Sequence, residues 1–198
     1  METIDLKKDH EELYRAKGTT EELLVPAGAF LAVDGKGDPG GTAYQAAIEA
    51  LYSVAYTMKF ALKGAGVLDF TIPNLECLWF SDPNATSRAE WEWCLLIRVP
   101  DRIGEEQVAD AGRQVLAKKG IDASAVRRIE SDGGRAIQVL HIGPYESVAD
   151  SYGTLRAYAQ ERGLELENVG YEVYLNDPRR TAPERLKTIV RIPLASAE

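Results

Sequence analysis

Cysteine, histidine and basic charge are all scarce in this chain, and each shortage removes a class of function. Cys77 and Cys94 are the only cysteines in 198 residues, they lack CxxC spacing, and only His10 and His141 could join them. A structural zinc site is therefore not expected, and the thiols read as small buried hydrophobes. Asp and Glu outnumber Lys and Arg by 31 to 23, a formal net charge of −8. With no basic stripe and no helix-turn-helix segment, nucleic acid is not an expected partner, because phosphate binding rests on Lys and Arg. No apolar run approaches the ~20 residues that span a bilayer, so no membrane association is expected. The N-terminal METIDLKKDHEELYRAKG alternates in charge, unlike a secretory signal, and a cytoplasmic location is the expectation. The glycine-rich GKGDPGG at 35–41 lacks GxxxxGK[ST] and GxGxxG, so it reads as a turn and not a phosphate cradle. No Ser/His/Asp order is visible, and no metal or organic cofactor is expected.

What the chain does contain is an internal echo. LECLWFSDP at 75–83 and WEWCLLIRVP at 91–100 pair an apolar strand ending in Asp-Pro with a second ending in Arg-Val-Pro. YEVYLNDPRRTAPERLKTIVRIP at 171–193 repeats that order. Asp82 and Asp177 lie 95 positions apart, Arg98 and Arg191 lie 93 apart, and unrelated strands would seldom keep so constant an offset. A duplicated module implies a pseudo-twofold axis, and a groove along such an axis suits a small ligand.

The expected elements follow from periodicity and turn chemistry. Residues 1–24 are polar and are assigned to an N-terminal arm. GAFLAVDGKG at 28–37 reads as a strand and its turn. From Thr42 to Lys63 no Gly or Pro intervenes, and Tyr44, Ile48, Leu51, Ala55, Met58 and Leu62 mark one face of a helix. Strands over 75–80 and 91–99 complete a first module, 25–100. Residues 101–119 read as a connecting helix stopped by Gly120. A strand over 135–141, a helix over about 146–162 and strands over 168–175 and 186–192 make a second module, 120–194. The fold class is α+β: tandem strand-helix-strand-strand modules forming one domain, 25–194, with a pseudo-twofold antiparallel sheet and helices on one face.

HIGPYES at 141–147 with YEVYLNDPRRTAPERLKT at 171–188 resembles the GyrI-like small-molecule-binding proteins. ALYSVAYTMKF at 50–60, LWF at 78–80 and WEW at 91–93 are similar to the stand-alone branch that includes the cyclopropanoid cyclopropyl hydrolases. The likeness runs from about residue 20 to 194. It implies binding of drug-like, often aromatic molecules, as a sensor, a sequestering protein or such a hydrolase, and it implies that Glu172 meets the ligand. Members commonly begin the tail motif with His-Glu, whereas this chain has Tyr171-Glu172, which puts the contact beside Glu172 in question.

Strand alternation sets Glu172 and Tyr174 on one face and Tyr171, Val173 and Leu175 on the other. A carboxylate in an aromatic groove is desolvated, which raises its pKa and suits it to acid/base work or cation binding, although a strand Glu is more often simply solvated. Shifting Glu172 and Tyr174 back by 95 gives Cys77 and Trp79, so an asymmetric site is expected. Trp79, Trp91 and Trp93 form either a stacking wall for a flat ligand or core. Tyr52, Tyr56 and Phe60 form an i, i+4, i+8 stripe of the kind that usually packs into core, here kept as ligand contacts, with Tyr56 and Tyr145 as candidate proton donors to assist Glu172. His141 reads as a backbone-bonded histidine before a catalytic one. The Asp177-Pro178-Arg179-Arg180 stretch reads as a structured loop. The expected activity is a hydrolase that opens the cyclopropane of cyclopropanoid DNA-alkylating compounds with water, a detoxification. The alternative is a non-catalytic binder of aromatic or cationic ligands. No protein partner is evident.

Overall fold

Short runs rich in β-branched residues, closed by Gly and Pro turns, fold as strands around helices that lack such breakers. The computed structural model describes residues 1–81 and 87–195; Asp82 of the sequence repeat lies outside them. In chain order the elements are β1 (Glu2–Ile4), α1 (Leu6–Asp9), β2 (Glu21–Val25), β3 (Gly28–Lys36), α2 (Thr42–Gly64), β4 (Leu68–Phe70), β5 (Glu76–Trp79) and β6 (Glu92–Val99). There follow α3 (Glu105–Lys119), β7 (Arg127–Ser131), β8 (Gly134–Ile142), α4 (Val148–Arg162), β9 (Gly170–Tyr174) and β10 (Lys187–Pro193). Among the described residues no helix is long and apolar enough to cross a membrane.

Eight strands form one sheet in the order β2-β8-β10-β9-β5-β6-β3-β7, every neighbouring pair antiparallel. The order is symmetric about the β9–β5 contact. Within that contact Cys77 lies directly opposite Glu172. These two residues are also 95 positions apart, the offset of the repeat, so the pseudo-twofold axis passes between them. Each half then contributes strand, strand, helix, strand, strand. The outermost strands are exchanged: β2 pairs with β8 of the second half, and β7 with β3 of the first. The boundary drawn at residue 25 is therefore too late for the sheet, which takes in Glu21–Val25. The polarity that placed this segment in an arm belongs to an edge strand, where alternate side chains stay in water.

All three long helices cover the same sheet face. Tyr44, Leu51, Val54, Ala55 and Met58 of α2, with Val108, Ala111 and Val115 of α3, pack on Leu31, Val33, Leu95 and Ile97. Val148, Leu155 and Ala159 of α4 pack on Ile137, Val139, Val190 and Ile192. The two halves thus carry separate helix-sheet cores, and the central strands β5 and β9 form the floor between α2 and α4. Alternation puts Cys77 on this face and Cys94, opposite Leu78, on the other, which separates the two free thiols.

The opposite face is closed by the N-terminal segment through a buried polar network. Glu76 accepts hydrogen bonds from the Tyr14 hydroxyl at 3.2 Å and from that of Tyr171. Arg191 donates to Gln138 and to the Leu13 carbonyl, and Gln138 in turn donates to the Arg15 carbonyl. Burial raises the pKa of Glu76, while the Tyr171 hydroxyl, Arg191, the Tyr14 hydroxyl and Arg98 oppose the rise. A buried acceptor left without one donor costs about 1–3 kcal/mol. Tyr171→Phe is accordingly expected to lower unfolding free energy by about that amount in denaturant titrations; an unaltered midpoint would show that the network adds nothing.

Candidate functional site

The site grows from the floor between α2 and α4. Glu172 points from β9 to the helix-covered face, as alternation predicts, and is only 8% exposed. Its two oxygens accept from different phenols: Oε1 from Tyr152 of α4 at 3.2 Å, Oε2 from Tyr174 at 2.9 Å. The Tyr174 oxygen lies 3.4 Å from that of Tyr44 on α2. Because the Tyr174 proton is committed to the carboxylate, the Tyr44 hydroxyl is the donor in that contact. A chain Tyr44, Tyr174, Glu172, Tyr152 therefore links α2 of one half to α4 of the other.

Local sequence explains the close fit. The Tyr152 hydroxyl passes over Gly170, where a Cβ would lie 2.6 Å from its oxygen. Cys77 offers a small side chain opposite Glu172. On the other wall the Tyr44 ring stacks on Trp79 at 6.0 Å and meets Trp93 edge-on at 4.9 Å, and Trp79 meets Trp91 edge-on at 5.7 Å. The Trp79 N–H is buried, has no hydrogen bond of good geometry among the described residues, and is near enough to favour the ionised form of Glu172.

The electrostatics are dominated by burial. Desolvation raises the pKa of Glu172, and the Tyr174 and Tyr152 hydroxyls and the Trp79 N–H pull against it. Among the described residues no Lys or Arg forms an ion pair with this carboxylate. Burial, then the charge of Glu172, pushes the Tyr152 and Tyr174 phenols well above their usual range, so both remain donors. Burial and Glu172 push Tyr145 up to about 12.

Tyr145 follows the turn Gly143-Pro144 at the head of α4. It is 38% exposed, and its ring meets Tyr174 edge-on at 5.6 Å. His141 holds this turn: its Nε2 lies 3.2 Å from the Pro144 carbonyl and 3.3 Å from Ser147 Oγ, and its Nδ1 lies 2.9 Å from Ser151 Oγ. Nε2–H donates to Pro144, which leaves Nδ1 to accept from Ser151. That is the backbone-bonded histidine expected from the sequence. Gly143 sits at φ 146°, a conformation that excludes most side chains.

The chain matches a known family. A profile of the GyrI-like small molecule binding domain matches residues 19–195. The chain belongs to the GyrI-like family. A crystal structure of an uncharacterized conserved protein from Listeria innocua is 35% identical with a TM-score of 0.90, covering 97% of this chain and all of the other. A hydrolase from Listeria innocua is 34% identical with a TM-score of 0.89, covering 98% of this chain and all of the other. The C-terminal domain of EcmrR shares the fold at 14% identity and a TM-score of 0.60, over 90% of this chain and 98% of that one. No curated protein sequence matches the chain.

The GyrI-like fold brings some of the expected residues together and separates others. Glu172, Tyr174 and Trp79 meet on the floor, with Tyr145 at the edge and Trp91 against Trp79. Trp93 is 2% exposed and donates to the Gly37 carbonyl, so it backs the wall as core. Tyr56 is not a partner of Glu172: its ring is 44% exposed and stacks between Tyr52 and Phe60 along α2. Tyr171 faces away and donates to Glu76. Sequence reasoning missed Tyr152 as a site residue, although Val148, Tyr152, Leu155 and Ala159 repeat the 4-3-4 spacing already used for α2. A cavity of about 410 Å³ lined by Asp34, Gly35, Lys36, Phe80, Glu92 and Trp93 shares none of the residues that hold Glu172.

Two substitutions test this geometry. Gly170→Ala should push Tyr152 off Glu172 and lower ligand affinity, as followed by calorimetry; equal affinity would show that the phenol adapts. His141→Ala should speed amide exchange at 143–147 and leave the exchange of β5 and β6 unchanged.

Proposed function

We propose that this GyrI-like domain is a hydrolase that opens the strained cyclopropane of a flat cyclopropanoid electrophile by adding water, with Glu172 as general base. The observation that carries the reading is a buried carboxylate held by two neutral phenols at the pseudo-dyad, with the buried Trp79 indole N–H beside it. Relatives named hydrolase, at 34–35% identity over nearly the full chain, support it. Glu172 takes a proton from water as the oxygen attacks the ring methylene. The ring C–C bond breaks, and its electron pair passes to the conjugated carbonyl, which becomes a phenolate. Tyr145 at the mouth or the Trp79 N–H supplies a hydrogen bond to that oxygen, and the proton on Glu172 returns to the product. One water is added and no oxidant or reductant is consumed. Tyr44, Trp79 and Trp91 hold the flat body of the substrate. In the organism the reaction would detoxify a DNA-alkylating compound, within the cytoplasm.

Among the described residues Glu172 has no cationic partner, which also favours a second reading, a non-catalytic binder of cationic aromatic drugs in which the carboxylate is the counter-charge. Mass spectrometry after incubation with a cyclopropane-bearing alkylator separates the two. Gain of one water is expected; unchanged compound in a tight complex would favour the binder.

Glu172→Gln keeps size and hydrogen bonding but removes basicity. It is expected to lower turnover by roughly 10²–10⁴ while leaving affinity for a neutral aromatic ligand nearly unchanged. A base works only when ionised, so activity should fall as pH drops through the Glu172 pKa. Because burial raises that pKa, the acid limb should lie above the ordinary carboxylate range and vanish in the variant. Full hydrolytic rate in folded Glu172→Gln protein would falsify the mechanism.

A further inference from the structure

Tyr44 stands on α2 of the first half, yet its hydroxyl meets the carboxylate network of the second. The side chain is only 6% exposed, and two indoles fix its ring: Trp93 edge-on at 4.9 Å, Trp79 nearly parallel at an interplanar angle of 11°. Trp93 is itself pinned. Its N–H donates to the Gly37 carbonyl at 3.2 Å, and its ring crosses Gly35, where a Cβ would come within 2.1 Å. Strand β3 and the turn after it therefore hold the Tyr44 hydroxyl in place, 3.4 Å from the Tyr174 oxygen.

The groups that face Glu172 are few. Tyr174 of β9 and Tyr152 of α4 donate to it, Cys77 and Trp79 of β5 lie beside it, and Val190 of β10 is opposite and apolar. Tyr145 stands behind Tyr174, and Arg156 reaches only the Tyr152 ring, at 5.9 Å. Among these, Tyr174 makes the shorter bond to the carboxylate, 2.9 Å, and Tyr44 donates to its oxygen. A hydroxyl that accepts a hydrogen bond becomes a stronger donor, because each bond polarises the next. We propose that Tyr44 is a positioning residue for Glu172: by donating to Tyr174 it strengthens the Tyr174–Glu172 bond and keeps the carboxylate ionised. The base in the second half is thus set by a phenol from the first, and it reaches full strength only when α2 and β9 are in register across the axis. The inference rests on the general-base reading above and assigns Tyr44 a part in it beyond stacking. The 3.4 Å contact is long for an O–H···O bond, so its effect is modest. Cooperative strengthening of about 10–30% in a charge-assisted bond corresponds to roughly 0.2–0.6 of a pKa unit.

The test titrates the full chain, with glutamate labelled at the carboxyl carbon, by carbon NMR; Glu172→Gln identifies the Glu172 signal. Hydrolysis of a cyclopropane-bearing alkylator is followed against pH in parallel. Tyr44→Phe keeps the ring between Trp79 and Trp93 and removes only the hydroxyl. Without that donor the ionised carboxylate loses support, so the Glu172 midpoint is expected to rise by roughly 0.2–0.6 of a unit. The acid limb of kcat/KM should move up equally, with KM on the plateau unchanged. Tyr44→3-fluorotyrosine withdraws electrons from the hydroxyl, makes it a stronger donor and should lower the midpoint. Opposite shifts in the two variants are the signature of the relay. A midpoint unmoved in both, or moved the same way in both as a packing defect would move it, overturns the proposal, and so does a Glu172 signal that never titrates while the fold is stable. If no product forms at any pH, the hydrolase reading fails while the two midpoints still decide the relay. Opposite midpoint shifts with a stationary acid limb would uphold the relay and end the general-base reading.

Discussion

The site turns on keeping one carboxylate out of water with no cation paired to it among the described residues. A buried, uncompensated charge is costly, and Glu172 is tolerated because each oxygen has a phenol donor and because the same burial raises its pKa. The donors come from different elements, α4 and β9, and a third phenol from α2 orients the second. The carboxylate therefore depends on both helix-sheet cores being in place. A group so held is a stronger base than a solvated one and a better counter-charge, which is why both functional readings rest on the same atoms.

The duplication explains where that carboxylate can be. In an antiparallel pair straddling a twofold axis, only the residues at the axis face their own counterparts, and here those are Cys77 and Glu172. Perfect symmetry would set two identical side chains against each other. Two glutamates at that distance could not both ionise in a buried site. A thiol in one half leaves room and no competing charge, since burial, and then the charge of Glu172, keeps Cys77 protonated.

The sheet is polar on both sides of its central strands. One residue away from Glu172, Tyr171 turns through the sheet to bond Glu76, which carries the docking of Tyr14 on the far face. Tyr171 thus belongs to the support on the far face of the sheet and not to the partners of Glu172. Exchange of β2 and β7 between the halves adds a second tie, so that neither module completes its sheet alone.

Much of this was legible before any coordinates. The constant offset between LWFSDP and VYLNDP revealed the duplication, the 4-3-4 spacing placed the core face of α2, and alternation put Glu172 and Tyr174 together. Local chemistry sufficed there because periodicity is a property of neighbours along the chain. It could not say that the polar stretch at 21–25 is an edge strand, since its partner lies more than 100 residues away. Nor could it choose among the nine tyrosines: Tyr56 and Tyr152 both lie on helices beside apolar residues, and only the packing of α4 over Gly170 brings the latter to Glu172. The sequence by itself determined the repeat, the helix and strand faces and the carboxylate. Which hydroxyls meet it, which tryptophan is wall and which core, and where the aromatic stripe of α2 emerges were decided by tertiary structure, because those contacts join residues whose separation along the chain carries no information about distance in space.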